Sequence, residues 1–154
     1  MWKKTLIAIL VFFLAVSIFA NDDRNSAFTY GIEVNMYSME GIAGGAALGF
    51  NFNLKGLYAA GFNLTASSNN DGNSIMEPSI MIRRYFSEGH SAFFAQADLG
   101  IAYISEAGRA TYHYLLGLRG GYRFHFGSLW HVEPYIRAGY PFIIGAGVML
   151  GFMF

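Results

Sequence analysis

The chain is 154 residues long, 54% hydrophobic and 18% aromatic but only 13% charged, with zero formal net charge, 19 glycines and no cysteine. Soluble domains carry about 25% charged residues, so an ordinary water-facing surface is hard to build from this composition. The lack of cysteine removes zinc–thiolate sites, thiol nucleophiles and disulfide frameworks, and the lack of a basic excess removes nucleic acid as a partner.

Met1-Trp-Lys-Lys-Thr5 is a short basic segment, Leu6 to Phe19 is an apolar run, and Ala20 precedes the polar Asn21-Asp-Asp-Arg24. This order predicts a signal peptide over residues 1–20, cut after Ala20, with residues 21–154 as a single domain. Ile18 is larger than the residue usual three places before a cut, and an uncleaved anchor is the alternative; both export the chain.

After residue 20 no stretch offers eighteen clean apolar residues of helical character, and Ala138 to Phe154 is broken by Pro141 and by glycines. Two-residue alternation recurs instead, in eight segments. The first, near Phe28–Tyr37, sets Phe28, Tyr30, Ile32, Val34 and Met36 against Thr29, Gly31, Glu33, Asn35 and Tyr37. A turn at 39–41 leads to Ile42, Ala46, Leu48, Phe50 and Phe52 opposite Gly45, Ala47, Gly49, Asn51 and Asn53. After Lys55-Gly56, the third segment sets Tyr58, Ala60, Phe62 and Leu64 against Gly61, Asn63 and Thr65. Residues Ser67–Ser74 read as the longest polar loop.

The fourth segment sets Met76, Ile80, Ile82 and Phe86 against Glu77, Ser79, Arg83 and Tyr85, with a turn over Ser87–Ser91. The fifth sets Phe93, Ala95, Ala97, Leu99, Ile101 and Tyr103 against Gln96, Asp98, Gly100 and Ala102. Following Ser105–Arg109, the sixth sets Tyr112, Tyr114, Leu116, Leu118, Tyr122 and Phe124 against His113, Gly117, Arg119, Gly121, Arg123 and His125. Beyond Gly127-Ser128, the seventh sets Trp130, Val132, Ile136, Ala138 and Tyr140 against His131, Glu133, Tyr135, Arg137 and Gly139. The eighth sets Phe142, Ile144, Ala146, Val148, Leu150, Phe152 and Phe154 against Ile143, Gly145, Gly147, Met149, Gly151 and Met153. As a helix this last stretch would carry three glycines, each costing about 1 kcal/mol against alanine.

Eight short strands joined by short turns predict an all-β fold, an eight-stranded antiparallel up-and-down transmembrane β-barrel. Closure follows because an open edge in hydrocarbon would leave backbone groups unpaired. The face assignment rests on chemistry. The polar set is mostly Gly, Ala, Asn and Thr, and Lys55 is the sole lysine after residue 20, so it cannot be the outer face of a soluble barrel. Aromatics of the apolar set gather at the two strand ends: Phe28, Tyr30, Phe50, Phe52, Tyr58, Phe86, Phe93, Tyr122, Phe124, Trp130, Phe152 and Phe154 on the terminal side, Tyr103, Tyr112, Tyr114, Tyr140 and Phe142 on the other. Such girdles flank a bilayer.

The polar face also carries Glu33, Glu77, Asp98 and Glu133 with Arg83, Arg119, Arg123 and Arg137. Facing lipid at mid-height each arginine would cost about 2–4 kcal/mol; enclosed, the eight can pair. An ion-pair network is expected among them, with Asp98, Arg119 and Glu133 meeting across the fifth to seventh strands. Pro78 and Pro134 have lipid-face parity and no amide to donate, which predicts bulges at Glu77-Pro78 and Glu133-Pro134. Arg84 shares that parity but sits beside Phe86, within reach of headgroups.

Glu133-Pro-Tyr-Ile-Arg-Ala-Gly-Tyr140, Leu116-Gly-Leu-Arg-Gly-Gly-Tyr-Arg-Phe124 and the terminal Phe154 together resemble the small outer-membrane β-barrel domain family, which includes the OmpA membrane domain, OmpX and OmpW. The resemblance spans residues 21–154 but is a pattern rather than a motif, and the loops here are shorter than the family's. It implies the bacterial outer membrane as location and the lipid bilayer as surroundings. It further implies that Phe142, Ile144, Val148, Leu150, Phe152 and Phe154 are the signal read by the barrel-assembly machinery, and, through OmpW, a small hydrophobic solute as passenger.

A barrel of this size encloses its own side chains or one small ligand, so a general water-filled pore is disfavoured. The expected role is structural, or passage of a small solute with the ion pairs as packing and gate. Two rivals remain. His125, Ser128, His131 and Glu133 surround one turn, as a lipid A-modifying enzyme would need, but Ser128 lies in the turn itself. The Ser67–Ser74 and Glu106–Arg109 loops could bind a surface partner. No cofactor is indicated, and the histidines do not recur at ligand spacing with a third donor.

Overall fold

The computed structural model describes residues 26–54, 56–88, 91–106 and 109–154. The expected signal peptide and Lys55 fall outside them. The described residues form β1 (Ala27–Tyr37), β2 (Gly41–Asn53), β3 (Tyr58–Asn69), β4 (Ser74–Tyr85), β5 (Ala92–Glu106), β6 (Arg109–Phe126), β7 (Trp130–Tyr140) and β8 (Phe142–Met153). Each pairs antiparallel with its neighbours in sequence, and β1 pairs with β8 to close the barrel. Alternation decides which side chains are enclosed, because successive residues of a strand point to opposite faces. Ile32, Leu99, Leu118 and Ile136 are exposed on the outside, whereas Glu33, Asp98, Arg119 and Arg137 are buried within.

Half of the polar stretch 67–74 is ladder rather than loop. Ser67 and Ser68 pair with Ile75 and Ser74, leaving a turn in which Gly72 takes φ +82° and the Asn69 side chain accepts from the amides of Asp71 and Asn73. A serine-rich sequence reads as loop because its side chains do not alternate in hydropathy, yet its backbone pairs like any other.

Neither proline makes the expected bulge. The β4–β5 register is the same on both sides of Glu77-Pro78, and pairing merely lapses for two residues. The same holds between β6 and β7 at Glu133-Pro134. A missing amide removes a ladder bond without adding a residue, and only an added residue shifts register. The shift occurs elsewhere, where Met36 pairs with Ile144 but Tyr37 pairs with Phe142. Ile143 is the extra residue. Ile143 and Ile144 therefore both face outward, and Phe142 turns inward to 1% exposure, which corrects its expected place in the outer girdle and on the lipid face of the terminal strand.

Inward, the loop-side mouth is filled by a buried apolar cluster of Tyr37, Ala43, Ile75, Ile104, Leu115 and Phe142. A second cluster of Ala47, Phe94, Tyr135 and Met149 lies deeper. Outward, rings pair along the terminal side, Trp130 with Phe152 at 5.2 Å and Phe93 with Tyr122 at 4.7 Å between centroids. Tyr103 and Tyr112 pair at 5.2 Å on the loop side. β6 is the longest strand, at 18 residues, and its ladder with β7 ends at Leu116 opposite Tyr140. Residues 109–114 thus extend past the end of the β7 ladder with β5 as their ladder partner.

Candidate functional site: the charged lumen

Strand parity brings all four acids and all four arginines of the polar face inside, each at 4% exposure or less. They occupy three levels along the axis. On the loop side, Glu33 of β1 accepts from Arg137 Nη1 at 2.6 Å, from the Tyr135 hydroxyl at 2.5 Å and from Asn35 Nδ2 at 2.6 Å. The other Arg137 nitrogen, Nη2, donates to Glu77 at 2.9 Å, and Glu77 also accepts from the Tyr37 hydroxyl at 3.0 Å. One guanidinium so bridges two carboxylates, from strands on different sides of the barrel.

At the middle level Arg119 Nε lies 3.8 Å from Asp98 Oδ2. Asp98 Oδ1 accepts from Asn63 and from Gln96, each at 2.7 Å. On the terminal side Arg83 Nη1 donates to both oxygens of Glu133 at 2.9 Å, and Arg123 Nε donates to Oε1 at 2.5 Å. Glu133 therefore does not join Asp98 and Arg119. Arg119 pairs across the ladder with Arg137, and Glu133 lies two places beyond Tyr135, the partner of Gly121, so the acid falls level with Arg123. Gln96 links the middle and terminal levels, taking a hydrogen bond from Arg83 Nε at 2.8 Å while donating to Asp98.

Every lumenal guanidinium also lies against an aromatic ring: Arg83 4.0 Å from the Phe94 centroid, Arg119 4.3 Å from Tyr135, Arg123 4.8 Å from Tyr85 and Arg137 3.5 Å from Phe142. Desolvated cation–π contacts are worth up to about 2 kcal/mol, and they occupy the faces of the cation that carboxylates in its plane cannot reach. Glycines leave the required room. A Cβ on Gly147 would stand 2.5 Å from the Tyr135 hydroxyl oxygen.

Sequence reasoning missed Asn35, Tyr37, Asn63, Gln96 and Tyr135 as partners, and Phe94 and Phe142 as platforms. Parity alone places Phe94 inside with Gln96 and Asp98; Phe142 needed the bulge. Of the terminal-strand residues, Ile144, Val148 and Phe154 are exposed on the outer face, and Leu150 and Phe152 are half-buried there. Arg84 is also outside, with its guanidinium 5.6 Å from the Phe86 ring centre and 5.9 Å from that of Tyr58.

Glu133 is held by two arginines, and neither ring nitrogen of the buried His131 makes a hydrogen bond. Among the described residues no group of three or more His, Asp or Glu is spaced to hold a metal ion. The apolar recesses on the wall open outward. One, of about 770 Å³, is lined by Phe28, Leu48, Phe62, Pro78, Ile101 and Tyr114 among others.

No protein-family model matches the chain, and no curated protein matches it. Solved structures do. The N-terminal β-barrel domain of Pseudomonas aeruginosa OprF is similar at 13% identity and a TM-score of 0.62, covering 85% of this chain and 98% of that one. Ail, the attachment invasion locus protein of Yersinia pestis, is similar at 11% identity and 0.56, covering 84% and 97%. Neisserial surface protein A is similar at 11% and 0.55, covering 84% and 94%. At these identities the likeness establishes the fold, that of the small eight-stranded outer-membrane barrels.

Proposed function

We propose that this chain, which has the fold of the small eight-stranded outer-membrane barrels, resides in a bacterial outer membrane as a structural barrel closed by its own side chains. The observation that carries this reading is the filled interior. A six-residue apolar cluster stops the loop-side mouth, and below it three levels of buried acid and guanidinium span the lumen. Water-filled barrels of the porin class need 16–18 strands. The outer wall offers small hydrophobic solutes an apolar recess. The terminal strand, with Ile144, Val148, Leu150, Phe152 and Phe154 outward, is the segment offered to the assembly machinery.

Conductance across planar bilayers tests the closed lumen. The wild type and an Arg119→Glu variant are both expected to remain at the baseline, because the apolar cluster blocks the path whatever the state of the middle level. Steps in the wild type would refute closure, and steps confined to the variant would make the ion pairs a gate.

A second reading, contact with a surface partner, is favoured by one observation. Residues 109–114 of β6 lack a ladder partner on the β7 side, and Tyr112 and Tyr114 there are 70% and 85% exposed. Such an edge accepts an extended segment by strand addition. Trypsin applied to intact cells is expected to cut after Arg109; full protection would place this hairpin away from the cell surface and dispose of the reading.

A further inference from the structure

The terminal-side mouth holds a set of side chains that neither the closed lumen nor the bilayer accounts for. His125 and His131 are cross-strand partners, their ring centres 5.5 Å apart and the planes 39° to one another. Met153 lies on β8, two residues from Gly151, the ladder partner of His131, and its Sδ is 3.4 Å from His125 Nε2. His131 is fully buried, yet neither ring nitrogen has a hydrogen bond. Glu133 Oε1 stands 3.5 Å from its Nε2 but already accepts from Arg83 and Arg123. Gly151 lies under the imidazole, where a Cβ would overlap the ring. Burying an imidazole with unused lone pair and proton is unfavourable unless something else engages it.

We propose that His125, His131 and Met153 form a binding site for one soft monovalent metal cation of the copper(I) type. Imidazole and thioether are the donors such an ion selects. A nitrogen about 2.0 Å and a sulfur about 2.3 Å from a common ion are about 3.4 Å apart at a near-tetrahedral angle, which is the His125 Nε2 to Met153 Sδ separation. Two imidazoles sharing an ion at a trigonal angle, with bonds of about 2.0 Å, have ring centres about 5.5 Å apart, as His125 and His131 do.

Charge sets the selectivity. The adjacent level sets the guanidiniums of Arg83 and Arg123 against the one carboxylate of Glu133, so a divalent ion is repelled more than a monovalent one. Three donors without a carboxylate suit an ion content with low coordination and leave zinc(II) short of its usual four. The three residues are far apart in sequence, and one is a methionine. Ligand spacing along the chain therefore does not reveal them; the β6–β7–β8 ladder does.

Silver(I), the redox-inert counterpart of copper(I), is the probe. It is titrated calorimetrically into the full-length barrel folded in detergent micelles, with the methionine methyls labelled with carbon-13 for NMR. One equivalent is expected to bind, with the Met153 methyl resonance shifting. Met153→Leu and His131→Gln are each expected to weaken binding at least tenfold, while Met39→Leu, which alters an exposed turn methionine, leaves it unchanged. Absence of saturable uptake by a barrel that shows heat-modifiable gel mobility would overturn the proposal. So would uptake unaffected by Met153→Leu, or equal affinity for zinc(II). Met153→Leu keeps an apolar side chain of similar volume and decides the matter even if His131→Gln does not fold.

Discussion

Glu133→Gln is expected to destabilise the barrel by about 3–5 kcal/mol, the cost of removing one partner from a buried ion pair. The carboxylate is fully buried and is the acid shared by Arg83 at 2.9 Å and Arg123 at 2.5 Å. Glutamine keeps the shape and one acceptor but cannot balance either charge. Arg83 is itself buried, held at Gln96 and over the Phe94 ring, so it cannot swing to water in compensation. Combining Glu133→Gln with Arg123→Met is expected to recover a large part of the loss, since the double variant buries one cation fewer. Reversible urea unfolding in phospholipid vesicles measures both. A loss below about 1 kcal/mol for Glu133→Gln, the range of an exposed pair, would show that this level is open to solvent.

Ile32→Arg is expected to cost about 2–4 kcal/mol in the same assay, against roughly 0–1 kcal/mol for Ile42→Arg. Ile32 is 72% exposed near the middle of β1, between Ala46 and Val148. Ile42, at 67%, stands next to the loop-side end of β2. The two sites are about equally exposed, so a protein surrounded by water would treat the substitutions alike. Only a hydrocarbon band that deepens toward the middle of the strands separates them. Equal and small effects would remove the bilayer from the description of the outer face.

The fold was legible because its signal repeats. Eight alternating segments with glycine or polar turns between them leave few architectures, and the sparse charge decided which face is enclosed. The interior was legible in membership but not in pairing. Parity places Glu133 and Arg83 inside without saying that they meet, since β4 and β7 are not ladder neighbours and contact across a lumen depends on height. Glu133 was expected beside Arg119 because neighbouring strands suggest neighbouring residues, whereas the β6–β7 register sets Arg137 opposite Arg119 and carries Glu133 on toward Arg123. Phe142 was misplaced for a different reason. A bulge adds one residue to the count, and nothing in Tyr140-Pro-Phe-Ile-Ile144 distinguishes an extra residue from an ordinary one. Ile75, Ile104 and Leu115, which stop the mouth, were hidden by adjacent apolar residues on the other face, where alternation in hydropathy fades.

The stacking of the three levels gives the barrel an electrical polarity. Two guanidiniums face one carboxylate at the terminal end, and two carboxylates share one guanidinium at the loop end, so the formal charges sum to +1 and −1 with a neutral step between. In a spanning barrel this doublet lies along the membrane normal, where a transmembrane voltage acts on each elementary charge with about 2.3 kcal/mol per 100 mV. A voltage positive on the terminal side presses the two ends together, and the reverse polarity draws them apart, so dielectric breakdown of a membrane carrying this protein should depend on the sign of the applied field.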